Sequence, residues 1–200
     1  MNDFKPEKQD ISANFIGIYQ IPDEDMMTDI IKFFDNNPDL HKPGSMGNDD
    51  INTVRKDNKE IRITPNNLKE EKFKVFIRFI DQLKNCYSSY AKEWPFTKAL
   101  GNLNMGTFQI QKYEIGGHCS AWHTERSDLS SSERVFAWMT YLNDVPEDGE
   151  TEFLHYNAKI IPEAGKTIIW PAEWTHAHRG NPTTVVEKYI LTGWLSFSQF

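Results

Sequence analysis

His123-Thr124-Glu125 sets an imidazole and a carboxylate two residues apart, and on an extended strand that spacing turns both side chains to one face. Far downstream, His176 and His178 repeat the step. Two neutral imidazoles and one carboxylate are the donor set of mononuclear non-haem iron(II) sites, which leave positions open for a cosubstrate and oxygen. A lone His-x-Glu arises often by chance, so the tripeptide alone decides nothing. Either downstream histidine can supply the third donor.

Lys188 brings a second kind of chemistry. It follows His178 by ten residues, and Lys188, Ile190, Thr192 and Trp194 share one face of a strand, so an ammonium and a hydroxyl enter an otherwise apolar surface. A lysine buried there without an anion would be costly, and a ligand carboxylate is a natural partner. The bland alternative is an exposed lysine on an edge strand.

The elements that must position these residues lie in a β-rich second half. Strand-like stretches at 107–113, 135–142, 151–154, 166–170 and 188–195 are separated by turn signals at Gly116-Gly117, Glu147-Asp148-Gly149 and Pro162-Glu163-Ala164-Gly165. The first half reads differently. A short strand at 14–20 is followed by Pro22 and Asp23, a start signal for a helix over about 24–35 that Asn36-Asn37-Pro38 ends. Phe73, Phe76, Ile80, Leu83, Tyr87 and Tyr90 recur at three- and four-residue steps, the apolar stripe of a long helix packed on a sheet. Between them, 39–67 is rich in Gly, Pro, Asn and Asp and is expected to be irregular and mobile, with an edge strand at 59–64. Helices followed by a run of strands predict an α+β fold.

With 200 residues, 38% apolar and 13% aromatic, the chain can bury one sizeable core but hardly two. We therefore expect a single domain, 1–200, with 1–104 as strand and helical support plus the mobile loop and 105–200 as most of the β core. A net charge of -7 offers no basic face to a phosphate backbone or an anionic membrane, so nucleic acid and membrane are disfavoured partners. Cys86 and Cys119 lie far apart without a CxxC, which indicates neither a disulfide framework nor a thiolate metal site and fits a reducing compartment. The first ten residues are too polar for a signal peptide, and no apolar run approaches the roughly 18 residues of a membrane span. A soluble, intracellular protein is expected.

From 106 to 195 the features run in order: Tyr113, Gly116-Gly117, His123-x-Glu125, Arg134, TYLNDV at 140–145, GETEF at 149–153, PEAG at 162–165, His178, Lys188 and Trp194. This ordered set, over nearly half the chain, resembles the prolyl 4-hydroxylase branch of the 2-oxoglutarate- and iron(II)-dependent dioxygenases, especially the small standalone forms of bacteria and their phages. The resemblance implies a double-stranded β-helix, or jelly roll, and iron(II) held by His123, Glu125 and His178. His178 is preferred to His176 because the family carries a basic residue about ten positions beyond its distal histidine, where Lys188 stands. By the same resemblance Lys188 would bind the distal carboxylate of 2-oxoglutarate, Tyr141 and Thr192 would hydrogen-bond that carboxylate, Tyr113 would line the cosubstrate pocket, and Trp194 would be a core residue. The implied reaction hydroxylates a proline in a peptide or protein while 2-oxoglutarate and O2 are consumed and succinate is released, with ascorbate as a supporting reductant. The implied setting is the cytoplasm, that of the host if the chain is phage-encoded.

Two departures stand out: the carboxylate is glutamate where the family usually has aspartate, and the spacing from Gly-Gly to histidine is one residue longer than in many relatives. His118 and Cys119 follow the glycines, where they could approach the pocket mouth, but a loop histidine with no role is the better reading of His118, and His41 and His155 need no functional account. Trp122 and Trp174, beside the metal strands, read as packing residues. The motifs identify the cofactor and not the substrate. A free amino acid or small metabolite as substrate stays open, as does a jelly roll that binds metal and 2-oxoglutarate without turnover. Nucleic-acid demethylation is disfavoured by the acidic charge and by a lysine where that branch carries paired arginines.

Overall fold

The computed structural model describes residues 14–45 and 51–197. Part of the segment expected to be mobile, 46–50, lies outside the described residues. Two α-helices, α1 (Glu24–Asp35) and α2 (Val75–Glu93), accompany twelve strands. The strands are β1 (Gly17–Gln20), β2 (Lys42–Pro43), β3 (Lys59–Ile63), β4 (Leu103–Met105), β5 (Phe108–Tyr113), β6 (Cys119–His123), β7 (Arg134–Tyr141), β8 (Thr151–Phe153), β9 (Ala158–Ile160), β10 (Lys166–Pro171), β11 (His178–Gly180) and β12 (Lys188–Phe197).

Local chemistry accounts for both helices. Asp23 caps α1 by accepting a hydrogen bond from the Met26 amide, and Glu24 and Asp25 in the first turn suit the positive end of the helix dipole. On α2 the buried stripe is Phe76, Phe79, Leu83, Cys86 and Tyr90. That stripe is turned from the expected one: Ile80 and Tyr87 are only half-buried, and Phe73 sits in the 3-10 turn before the helix.

All strand pairs are antiparallel, in two sheets. The larger runs β1-β10-β7-β12-β5-β3-β2, with β4 joined to the far end of β12; the smaller runs β6-β11-β8-β9. The segment expected as an edge strand is not the edge. β3 pairs along its length with β5, and the two-residue β2 lies outside it.

Period-two alternation divides the large sheet between two cores. Phe108, Ile110, Phe136, Trp138, Ile169, Tyr189 and Leu191 face the helices, where Phe34, Phe76 and Phe79 meet them. The alternate residues Tyr113, Ala137, Met139, Tyr141, Ile168, Trp170 and Ile190 pack toward the small sheet and its Cys119, Phe153 and Ile160. Gly165 makes the turn into β10 with φ +79°, and a Cβ there would lie 2.1 Å from the Ile21 carbonyl oxygen, so the turn signal marks a position only glycine fills. No helix among the described residues is long and apolar enough to cross a membrane.

Candidate active site

His123 ends β6 and His178 begins β11, and the two residues are direct register partners across the small sheet. Their rings lie 4.3 Å apart. Each ring gives its Nδ1–H to a backbone carbonyl, His123 to Ala121 at 2.9 Å and His178 to His176 at 3.0 Å. That leaves both Nε2 lone pairs directed inward. Glu125 Oε1 lies 3.2 Å from His178 Nε2 and 3.9 Å from His123 Nε2, and the three donor atoms fall within 4.8 Å of one another. Donors about 2.1 Å from a metal on adjacent octahedral corners are about 3 Å apart, so the set fits a divalent first-row ion on one face. Backbone acceptors behind both imidazoles are the outer support such ligands usually have.

The electrostatics agree with that donor set. Burial, with His178 as a second cause, lowers the His123 pKa to about 4, which keeps the ring neutral. Burial would raise Glu125, but its contacts with His178 and His123 and the Trp194 N–H bond outweigh it and bring the carboxyl down to about 2.

Glu125 does not lie on the strand with His123, as the spacing alone had predicted. β6 ends at His123, and the chain then bends toward the large sheet, fastened by Thr124 Oγ1 and the Arg126 amide, both donating to the Ala172 carbonyl at 2.9 Å. Arg134 donates to the Glu125 carbonyl at 2.8 Å and lies over the Trp194 ring at 3.7 Å. Trp194 in turn donates its indole N–H to Glu125 Oε2 at 2.7 Å. Trp194 is thus half-buried and orients the carboxylate, a role beyond the plain core residue expected. The hint was its place on the Lys188 face of β12.

His176 is separated from this cluster. Residues Trp174–His176 form a 3-10 turn, so the extended segment that would have put it on the His178 face does not exist. Its Nε2 bonds the Asn14 carbonyl at 2.8 Å and its Nδ1 meets Thr175.

Lys188 is 3% exposed at the inner end of a cleft of about 760 Å³ that also takes in the three metal-type ligands. Its Nζ donates to the Gly149 carbonyl at 2.7 Å and reaches the Asn181 carbonyl at 3.4 Å, with no carboxylate in ion-pair range among the described residues. The Tyr113 ring, its register partner, lies 4.9 Å from the ammonium. Tyr141 donates to Thr151 Oγ1 at 2.7 Å, and both line the same cleft. Thr192 also lines it, but four residues along β12 from Lys188, about 13 Å by strand rise, with its hydroxyl given to the Trp138 carbonyl. The site therefore joins Lys188, Tyr113 and Tyr141, adds Thr151, which the sequence reading missed, and leaves Thr192 apart. Its only prior hint was its place in the GETEF run.

Among the other residues considered, Cys119 is a buried cleft residue whose thiol burial pushes up to about 11. His118 accepts from the Ser120 amide, His41 stacks on Phe34, and His155 meets exposed Trp174 edge-on, all away from the cleft lining. Trp122 does line the cleft, under the Arg179 guanidinium.

Comparison with known proteins matches this site. Residues 108–196 fit the family described as the 2OG-Fe(II) oxygenase superfamily. That segment holds every cleft residue named so far. Among curated relatives, prolyl 4-hydroxylase subunit alpha-1 of Gallus gallus is 24% identical over 102 residues, covering 44% of this chain but only 20% of that protein. The chain thus spans a fifth of that relative's length. Solved structures extend the likeness to nearly the whole fold. A prolyl hydroxylase of Trichoplax adhaerens, in complex with a hypoxia inducible factor peptide fragment, superposes with a TM-score of 0.72 at 16% identity over 92% of this chain and 84% of that one. A Pseudomonas putida prolyl-4-hydroxylase gives 0.68 at 16% over 94% and 96%. These confirm the α+β fold with a jelly-roll core. The superfamily's iron(II) and 2-oxoglutarate suit the residues present: the His-Glu-His cluster for the metal and the unpaired buried ammonium for a dicarboxylate.

Two outcomes test the assignment of ligands. Iron(II) titration should show His178→Ala losing binding while His176→Ala keeps most of it; the reverse pattern would reassign the third ligand. Trp194→Phe keeps the ring under Arg134 but removes the N–H, and should weaken iron affinity by about tenfold, the lower range for an outer hydrogen bond to a metal ligand. Unchanged affinity would mean that Glu125 needs no such hold.

Proposed function

We propose that the protein is an iron(II)- and 2-oxoglutarate-dependent hydroxylase acting on proline in a peptide or protein. The observation that carries this reading is the buried, anion-free ammonium of Lys188 at the inner end of the cleft that His123, Glu125 and His178 line. A charge buried without a partner is costly, and one end of a dicarboxylate removes that cost when it binds.

His123, Glu125 and His178 would hold iron(II) by one face, and Lys188 would take the distal carboxylate of 2-oxoglutarate. Tyr141 and Thr151, already joined by a hydrogen bond, offer hydroxyls at the same end, and Tyr113 covers the ammonium with its ring. Iron(II) held there would supply, with 2-oxoglutarate and O2, the oxidising power to hydroxylate an unactivated carbon while the cosubstrate is converted to CO2 and succinate, and ascorbate would keep the metal ferrous. Met139, Trp170 and Ile190 give that end apolar walls, which limit water around a reactive centre. The prolyl part rests on likeness to prolyl hydroxylases, of which the Trichoplax adhaerens neighbour holds a peptide. Two buried free cysteines support a reducing, cytoplasmic setting.

Lys188→Ala should weaken 2-oxoglutarate binding by roughly 30-fold or more, as expected for a buried charged hydrogen bond of ~2–5 kcal/mol, while iron binding changes little. Burial lowers the Lys188 pKa to about 8, so the ligand-binding ammonium persists below that pH and is lost above it. Cosubstrate affinity should therefore stay level up to about pH 8 and fall toward tenfold per further unit in the parent protein only. Calorimetry across pH reads both effects, and a parent-like profile in Lys188→Ala would remove the anchor role. For the substrate, mass spectrometry should find proline peptides gaining one oxygen, about 16 Da, with succinate formed in near-equal amount. Succinate release stimulated by a free amino acid or metabolite, and by no proline peptide, would replace the prolyl reading with a small-molecule one.

A further inference from the structure

The chain is acidic, with a net charge of -7, yet its cleft is lined by the cations Arg55, Lys56, Arg62, Arg134, Arg179 and Lys188 against only Glu125 and Asp128 among described carboxylates. The inner part of the site needs no more positive charge. With iron(II) on Glu125 and doubly charged 2-oxoglutarate on Lys188, cations and anions there already balance. The outer cations are left for something else.

The protein engages these cations to different degrees. Lys56 and Arg62 both reach the buried carboxylate of Glu60, at 3.1 Å each, and are held by it. Arg179 and Lys159 likewise share Glu152, with Arg179 Nε at 2.8 Å and Nη2 at 2.7 Å from Oε2. Arg179 also sits over the indole of Trp122, 4.6 Å from its centre, and Trp122 is 39% exposed at the cleft. The exposed Arg55 guanidinium has no hydrogen bond or ion pair among the described residues, and its carbonyl accepts from the Ala121 amide, so Arg55 sits one backbone step from Trp122. Asp128, the outer anion, is bound up in its own turn with Ser130 and Ser131.

The cations also spread along the cleft. Arg134 on β7 and Arg62 on β3 are separated by β12 and β5, three strand spacings or about 14 Å. That is the reach of about four extended residues and exceeds a small metabolite.

From this we infer that the substrate is an acidic peptide: carboxylate side chains flanking the target residue dock on Arg55 and Arg179, beside the Trp122 indole. The inference rests on the prolyl-peptide reading and adds the charge of the sequence around the target. Nucleic acid, with a charge on every residue, is opposed by the net charge of -7 more strongly than a peptide that carries a few carboxylates beside its target.

The test is fluorescence anisotropy with the iron(II)- and 2-oxoglutarate-loaded protein without oxygen, using three proline-centred peptides of equal length flanked by Glu, Gln or Lys. The Glu peptide should bind about tenfold more tightly than the Gln peptide at low salt, and the gap should close as salt rises. Arg55→Glu should shrink the Glu-to-Gln preference about three- to tenfold and Arg55→Lys should retain it, with unchanged urea midpoints excluding a folding defect. Arg179→Gln should act in the same direction. Equal binding of the Glu and Gln peptides, or a preference that survives Arg55→Glu and Arg179→Gln together, overturns the inference; if proline in the Gln peptide is then hydroxylated, the prolyl reading stands without it. A single-stranded oligonucleotide that displaces the Glu peptide at lower concentration than unlabelled peptide does would also overturn it. If no peptide of any charge binds, both readings fall.

Discussion

Along β12, neighbouring side chains enter two environments that cannot be exchanged. Tyr189 and Leu191 belong to the helix-side core, while Lys188, Ile190, Thr192 and Trp194 line the cleft. A slip of one residue would send the lysine among phenylalanines and the leucine into the site. The register is held from both sides, by β5 and β7, and by Gly193, where a Cβ would lie 2.8 Å from the Trp138 ring. The same packing that stabilises the helices thus places the anchor lysine and the tryptophan that holds Glu125. Site geometry here is a consequence of core packing.

The two ends of the cleft carry opposite electrostatic problems. Near the small sheet, a carboxylate stays ionised despite burial, held by the two imidazoles beside it and by the Trp194 N–H. At the inner end, an ammonium is buried against carbonyl oxygens alone. Each end is incomplete without a ligand of the complementary charge, which is the condition under which ligands stabilise a fold strongly: whatever binds the native state and not the unfolded chain adds stability by mass action. A metal and a dicarboxylate bound there would serve folding and chemistry through the same residues.

Much of this could be read from residue order, and the limits have physical causes. Asp23 and the 3.6-residue periodicity locate α1 to the residue and α2 to within a small rotation, because capping and amphipathicity are local signals. Of the five longer strands of the β half, β5, β7, β10 and β12 announce themselves by alternation and β6 does not. β4, β8, β9 and β11 span three residues each, too few to show a period, and of these only β8 was signalled, by the Thr-Glu-Phe run. The choice between His176 and His178 turned on a single 3-10 turn that composition does not encode, and only the distance to Lys188 pointed the right way. Thr192 shows the converse failure. Strand parity correctly put it on the Lys188 face, but parity carries no information about how far along that face a side chain can reach.

Glutamate at 125 becomes intelligible through the same reasoning about reach. β6 stops at His123, and the backbone then turns to bond Ala172 just past β10 of the large sheet, so residue 125 approaches the metal-type cluster from off the strand. One more methylene than aspartate spans that gap, and it also adds a rotatable bond whose freedom must be suppressed if the oxygen is to stay near two imidazoles. Arg134 fixes the residue's carbonyl, Trp194 fixes its carboxylate, and Arg134 stacks on Trp194, so three contacts close a small cycle around one flexible side chain. A longer ligand is workable here because the last strand of the large sheet supplies the rigidity that the extra methylene takes away.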